Sequence, residues 1–297
     1  MLYYEVKYMI KNRNGNIIVT NEKQNKLLEK LYGTIAGRAA LKLLTAPVVS
    51  KAAGKFMDSP LSVPMIKRFI KNNNIDMSQY EAKHFSSYND FFTRKVRTDM
   101  RPVDLQPEHL ISPCDSKLTV YKISDNSVFR IKDSYYRISD LLRSRKLSER
   151  FRDGYCLIFR LEVDDYHRYC YIDNGSEAAD FFIKGELHTV NPIALEHYNI
   201  YKRNSRECTV MQTHNFGTVV QVEVGAMMVG RILNHHNACT FKRGQEKGMF
   251  QFGGSTIVML FEKDAISPDD DILRNSADGF ETVVKYGEKI GTAVKNK

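Results

Sequence analysis

The sequence predicts an α+β protein, with a helical N-terminal region followed by a compact, mainly antiparallel β-domain. Three observations carry this. Up to residue 105 apolar residues recur at helical spacing. From residue 106 to 297 they gather in short runs rich in β-branched and aromatic residues, separated by Asn-Gly, Asp-Gly and Phe-Gly breaks. Between the two, "MRPVDLQPEHLISP" holds three prolines and reads as an extended linker.

In chain order, "NKLLEKLYGTIAGRAALKLL" sets Leu27, Leu28, Leu31, Tyr32, Ile35, Ala39 and Leu43 mostly at i, i+3, i+4, with Lys26, Lys30, Arg38 and Lys42 among them. "VPMIKRFIKNNNIDMSQYE" predicts a second, shorter helix and "SYNDFFTRKV" a third. The strands follow in "KLTVYKI", "SVFRIKDSYYRI", "YCLIFRLEV", "HRYCYID", "ADFFIKGELHTV", "TVMQTHNFGTVVQVEVGAMMVGRIL" and "MFQFGGSTIVMLFEK", with a turn in "YIDNGSEA". The last run is broken by Gly253-Gly254-Ser255-Thr256. Glycine inside a strand marks a bulge, a bend or the close approach of another group. Two glycines before a serine also free the backbone to bend the hydroxyl toward its own preceding carbonyl.

With 297 residues, 42% of them hydrophobic and 27% charged, the chain has an ordinary globular composition and is long enough to bury a core. No run approaches the ~20 apolar residues that span a bilayer. The opening "MLYYEVKYMIKNRNGN" lacks the order of a signal peptide, so a cytoplasmic protein is expected. Five scattered cysteines argue against a disulfide framework. The net charge of +9 favours anionic partners. With no RNP-like motif and no zinc-finger spacing, nucleic acid is not the expected one. The basic helix at 25–45 has two readings. Its apolar face packs on the β-domain, or it lies in the headgroup region of anionic lipid.

Several residues are candidates for chemistry. Ser255 is not a hydrolase elbow, because Ile257 stands where G-x-S-x-G needs glycine, and a simple strand bulge stays open. "LEVDDYHRYCYIDNG" sets His167 beside Asp164, Asp165 and Arg168, and a histidine can act as base or acid near neutrality. His167 with Cys170, and His235 with Cys239, each resemble half of a zinc site, although such histidines often only hydrogen-bond on the surface. Asp115 in "ISPCDSKL" reads as a turn residue unless a histidine partners it.

Taken together, these segments resemble the phosphatidylserine decarboxylase family. "RGQEKGMFQFGGSTIVMLF" is similar to the family's cleavage-site signature, "DYHRYC" to its Asp-Tyr-His-Arg-x-His segment and "SPCDS" to its Pro-x-Asp-Gly segment. "SYNDFFTRKVRTDMRPVD", "GELHTVNPIAL" and "VEVGAMMVG" match further blocks, so the resemblance runs in order over roughly residues 60 to 290. It implies that Ser255 attacks the Gly254 carbonyl, cleaving the chain into a β chain of residues 1–254 and an α chain of residues 255–297. Ser255 then becomes a pyruvoyl group, the cofactor, which forms a Schiff base with the amine of phosphatidylserine and accepts the electrons released with CO2, giving phosphatidylethanolamine. The implied partners are phosphatidylserine, an anionic membrane surface and the chain's own two fragments, with homo-oligomers left open. The implied location is peripheral, on the cytoplasmic face of the membrane. The N-terminal region 1–105 becomes the membrane-associating part and 106–297 the catalytic domain.

Two positions depart from the family pattern. Ser116 replaces the glycine of the Pro-x-Asp-Gly segment, and Cys170 stands where many members carry a second histidine that forms the self-cleavage triad with the aspartate and serine. His167 is therefore expected to be the base for self-cleavage, oriented by Asp115, and to act again in decarboxylation. His188 in "GELHTVNP" and Cys170 are supporting candidates, although a thiol is a poor stand-in without an activating neighbour. No metal is expected. The rivals are a non-catalytic relative that binds anionic lipid, a zinc hydrolase built on the two His-Cys pairs, and a pyruvoyl decarboxylase of free amino acids.

Overall fold

The structure is a computed structural model that describes residues 10–18, 34, 37, 47–131, 134–185, 204–225, 231–235, 240–252 and 255–294. In chain order, β1 (Ile10–Lys11) and β2 (Ile17–Ile18) precede helices α1 (Pro47–Met57), α2 (Pro64–Asn72) and α3 (Tyr88–Phe92). Then come β3 (His109–Ile111), β4 (Ser116–Lys122), the hairpin β5 (Val128–Ile131) and β6 (Ser134–Arg137), and short helices α4 (Ile138–Leu142) and α5 (Arg145–Ser148). Strands β7 (Tyr155–Leu161), β8 (Arg168–Cys170), β9 (Gly175–Ile183), β10 (Arg206–Thr213), β11 (Gly217–Val224), β12 (Ile232–Asn234) and β13 (Thr240–Phe241) follow. The chain ends in β14 (Glu246–Phe250), β15 (Ser255–Phe261), β16 (Ile266–Pro268), α6 (Asp270–Ala277), β17 (Glu281–Val284) and β18 (Lys289–Ala293).

Ten strands form one sheet in the order β13-β9-β10-β11-β15-β7-β4-β17-β1-β2. Only the β1–β17 pairing is parallel among the described residues, so the α+β, mainly antiparallel class holds. Every residue of β15, "STIVMLF", is buried, because both faces of the sheet are covered. Side chains alternate along the strand. Ile257, Met259 and Phe261 join Leu157, Phe159 and Leu161 on one face, under the small sheets β12-β14-β8 and β16-β18-β3. Val258 and Leu260 join Cys156 and Ile158 on the other face, under Tyr136, Ile138, Leu141 and Leu142.

Residues 10–18, counted in the helical region, form β1 and β2 at the end of the large sheet. The turn in "YIDNGSEA" links β8 and β9, which lie in different sheets. The buried Asp173 of that turn accepts from the Asn215 backbone amide at 2.8 Å. "MFQFGGSTIVMLFEK" is not one pair. β14 belongs to a small sheet and β15 to the large one, and the chain crosses between them through residues 251–254. The basic segment 25–45 lies outside the described residues except Thr34 and Gly37.

Helices α1 to α3 form a cap. Met57, Ile66, Tyr88, Phe91 and Phe92 bury together, with Phe252 from the crossing packed against them. Ser87 starts α3 by accepting from the Asp90 amide at 3.1 Å, which satisfies an otherwise orphaned donor. The Tyr88 amide donates to Ser62 Oγ at 2.8 Å, which ties α3 to the turn between α1 and α2.

Candidate active site

Ser255 opens β15, is fully buried, and lies in register with Leu161 of β7. By strand alternation its side chain shares the face of Ile257, Met259 and Phe261, toward the small sheets. Gly254, the other side of the expected cleavage point, lies outside the described residues, as does His188.

Three contacts hold His167 against the segments on either side of Ser255, the end of β7 and the chain that leads into β15. Its Nε2 donates to the carbonyl of Glu162, the residue after Leu161, at 2.9 Å. Its own carbonyl accepts from the Phe250 amide at 2.9 Å. Phe92 lies over its ring at 4.1 Å between centroids, and Phe92 in turn meets Phe252 at 5.4 Å. A carbonyl only accepts, so Nε2 carries the proton and Nδ1 keeps the lone pair. Nδ1 is buried and has no hydrogen-bond partner among the described residues. Burial, aided by the charge of Arg94, lowers the imidazole pKa to about 3. The ring is therefore neutral, and its acceptor nitrogen has no partner among the described residues.

The loop that presents His167 is locked locally. The Glu162 carbonyl also accepts from the Asp165 amide at 3.0 Å, and the Glu162 amide donates to Asp165 Oδ2 at 2.7 Å. Lys117 Nζ of β4 then binds Asp165 Oδ2 at 2.7 Å and Glu162 Oε2 at 3.2 Å. Asp165 is therefore the residue that builds the turn.

Asp115 does not orient His167. Its buried carboxylate is held by Arg101, whose Nε lies 2.9 Å from Oδ1 and whose Nη2 lies 2.7 Å from Oδ2. It also accepts from the Tyr286 amide at 2.9 Å, with Lys285 Nζ at 3.3 Å. Burial alone would raise its pKa, but Arg101 and Lys285 outweigh burial and hold it below the usual carboxylate range. The place foreseen for Asp115 at His167 is taken by the Glu162 carbonyl, because two cations and an amide compete more strongly for the carboxylate. The "SPCDS" and "DYHRYC" segments do meet, through the Cys170 amide donating to the Pro113 carbonyl at 2.9 Å.

Cys170 is fully buried, and burial pushes its thiol up to about 12. It is no thiolate base near neutrality. Among the described residues no group of three or more His, Cys, Asp or Glu side chains could hold a metal ion, His235 Nε2 faces Glu246 Oε1 at 2.7 Å, and Cys239 lies outside the described residues. Arg101, Phe92 and the Glu162 carbonyl were missed from sequence. A backbone carbonyl leaves no sequence signal, and Arg101 stood inside the presumed linker.

Residues 88–292 match the family model for phosphatidylserine decarboxylase. The chain is 48% identical over 291 residues to "Phosphatidylserine decarboxylase proenzyme 2" of Clostridium acetobutylicum, covering 98% of this chain and 94% of that one. It is 43% identical over 243 residues to a phosphatidylserine decarboxylase proenzyme of Clostridium tetani, covering 80% and 82%. With one from Clostridium botulinum it shares 38% over 281 residues, covering 92% and 95%. A mainly antiparallel α+β chain with a buried serine at a sheet crossing belongs, on these matches, to the phosphatidylserine decarboxylase family.

Proposed function

We propose that this chain is a proenzyme that cleaves itself between Gly254 and Ser255 and then decarboxylates phosphatidylserine to phosphatidylethanolamine and CO2. The observation that carries the reading is the buried, neutral His167, with Nδ1 unpartnered among the described residues, held against the residue that follows Ser255's register partner Leu161 and against the chain that leads into β15. A hydroxyl is a weak nucleophile and needs such a base.

His167 Nδ1 takes the Ser255 hydroxyl proton as Oγ attacks the Gly254 carbonyl carbon. The Gly254–Ser255 amide breaks and an ester forms in its place. Removal of the Ser255 Cα proton expels the Gly254 carboxylate from Cβ, leaving a dehydroalanine at the start of the α chain. Water then replaces its nitrogen, ammonia departs, and a pyruvoyl group remains. The residues present fit that group: a serine preceded by two glycines, in a dry site with an orphaned buried acceptor nitrogen. Once formed, the pyruvoyl ketone supplies the electron sink for loss of CO2 from an amine-bearing substrate. His167, neutral and desolvated, then moves a proton at the reacting carbon.

The same reading puts the chain peripherally at an anionic membrane, on its cytoplasmic face. Among the described residues no helix is long and apolar enough to cross a membrane. The cap, however, exposes Phe56, Leu61 and Met65, with Leu61 77% exposed, among exposed Lys55, Lys67, Arg68 and Lys71. Apolar side chains that enter the headgroup boundary beside cations that meet anionic lipid favour such a surface.

Incubation with phosphatidylserine vesicles tests the activity. Phosphatidylethanolamine should appear with the native chain and not with Ser255→Ala, and product from neither would refute the reading. Flotation tests the surface: the chain should rise with anionic vesicles, and Leu61→Asp should weaken this. Equal binding to neutral vesicles, unaffected by Leu61→Asp, would contradict it.

A further inference from the structure

We infer that Asn89 is a positioning residue for self-cleavage, clamping the backbone just upstream of the scissile bond in the bend the reaction needs. The inference rests on the self-cleavage reading above. As the chain leaves β14, its amides first find backbone partners: Phe250 donates to the His167 carbonyl at 2.9 Å and Gln251 to the Arg231 carbonyl at 3.0 Å. Phe252 has no ladder to join, because the chain is crossing to another sheet. Its amide donates instead to Asn89 Oδ1 at 3.0 Å.

Asn89 is built to hold that amide. It sits in α3, is buried, and donates from Nδ2 to Asp58 Oδ1 at 2.7 Å. Asp58 fixes which end of the carboxamide faces Phe252, since a flip would break both hydrogen bonds. The Phe252 ring is wedged edge-on against Tyr88 at 5.1 Å and Phe92 at 5.4 Å, and Phe92 covers His167. One short helix thus anchors both the base and the chain entering the reacting segment.

Between Phe252 and Ser255 stand only Gly253 and Gly254. Glycine has the widest backbone freedom, so the anchors at Phe252 and at the start of β15 are what confine the attack geometry. A misplacement of about 1 Å can cost about 10²-fold in rate. A purely structural hydrogen bond would support folding and leave the cleavage rate of folded chains unchanged.

The test follows the conversion of newly synthesised full-length chain into two fragments, with folding monitored by thermal melting. Asn89→Ala should fold and cleave about tenfold or more slowly. The exchange Asp58→Asn with Asn89→Asp restores an acceptor for the Phe252 amide and a donor across the pair, and should return cleavage close to the native rate. Native-like cleavage by Asn89→Ala would overturn the role. So would an exchange variant that folds and still cleaves slowly, which also decides the matter should Asn89→Ala not fold. A native chain that never cleaves would instead refute self-cleavage itself.

Discussion

His167 donates its single ring N–H to the Glu162 carbonyl, and burial keeps the ring neutral until about pH 3. This has a consequence for stability. The unfolded chain takes up this proton as pH falls through about 6.5, while the folded chain does not until about 3. The contribution of the neutral ring is therefore fully present above 6.5 and is lost progressively below it. The slope is about 1.4 kcal/mol per pH unit at most. Glu162, lowered to about 2 by Arg160 and Lys117 against the effect of burial, adds its own acid loss only below its ordinary value of 4.5. Denaturation of the Ser255→Ala precursor between pH 6.5 and 4.5 should show the slope, and adding His167→Gln should flatten it. An unchanged slope in the double variant would assign it to another group. Sequence made His167 legible because its motif is local. Its orientation was not legible, since Asp115 is claimed by Arg101 and by Lys285 and Tyr286 from the far end of the chain.

Among the elements, β14 brings one costly group beside the site. Lys247 is fully buried, with Nζ 3.0 Å from Glu223 Oε1 of β11 and 2.8 Å from Asn234 Oδ1 of β12. Removing one member of a buried ion pair strands the other charge. Lys247→Met should therefore destabilise the chain by about 3–5 kcal/mol. Lys247→Met with Glu223→Met should cost much less, both measured by denaturant unfolding. Equal losses would show that the pair's charges are not what the site feels. The sequence announced most strands, because their alternation and turn residues are local. It did not announce which sheet each joins. "MFQFGGSTIVMLFEK" reads as one interrupted strand pair, and the structure sends its halves to two sheets. Nor did Ile10 declare its parallel pairing with Glu281, since a two-residue strand has no pattern to read.

At the scale of the whole molecule, the segment 255–297 is woven through the rest of the chain. β15 lies between β11 and β7, β17 between β4 and β1, and β18 pairs with β3. Arg13 reaches Asp269 at 2.8 Å and Glu288 at 3.2 Å, binding the two termini together. Ile257, Val258, Met259, Leu260 and Phe261 are all buried, and burying each such side chain contributes about 1.5–3 kcal/mol. Cleavage before Ser255 cuts a covalent link and leaves this burial intact, so the two fragments should stay together. The most direct measurement is mass spectrometry of the purified chain, native and then denatured, beside Ser255→Ala. The account predicts one complex under native conditions. On denaturation it should part into residues 1–254 and residues 255–297, the smaller lighter than its serine form by the elements of one ammonia and gaining water only if hydrated. A native chain that stays single after denaturation, matching Ser255→Ala in all but the one oxygen, would contradict it.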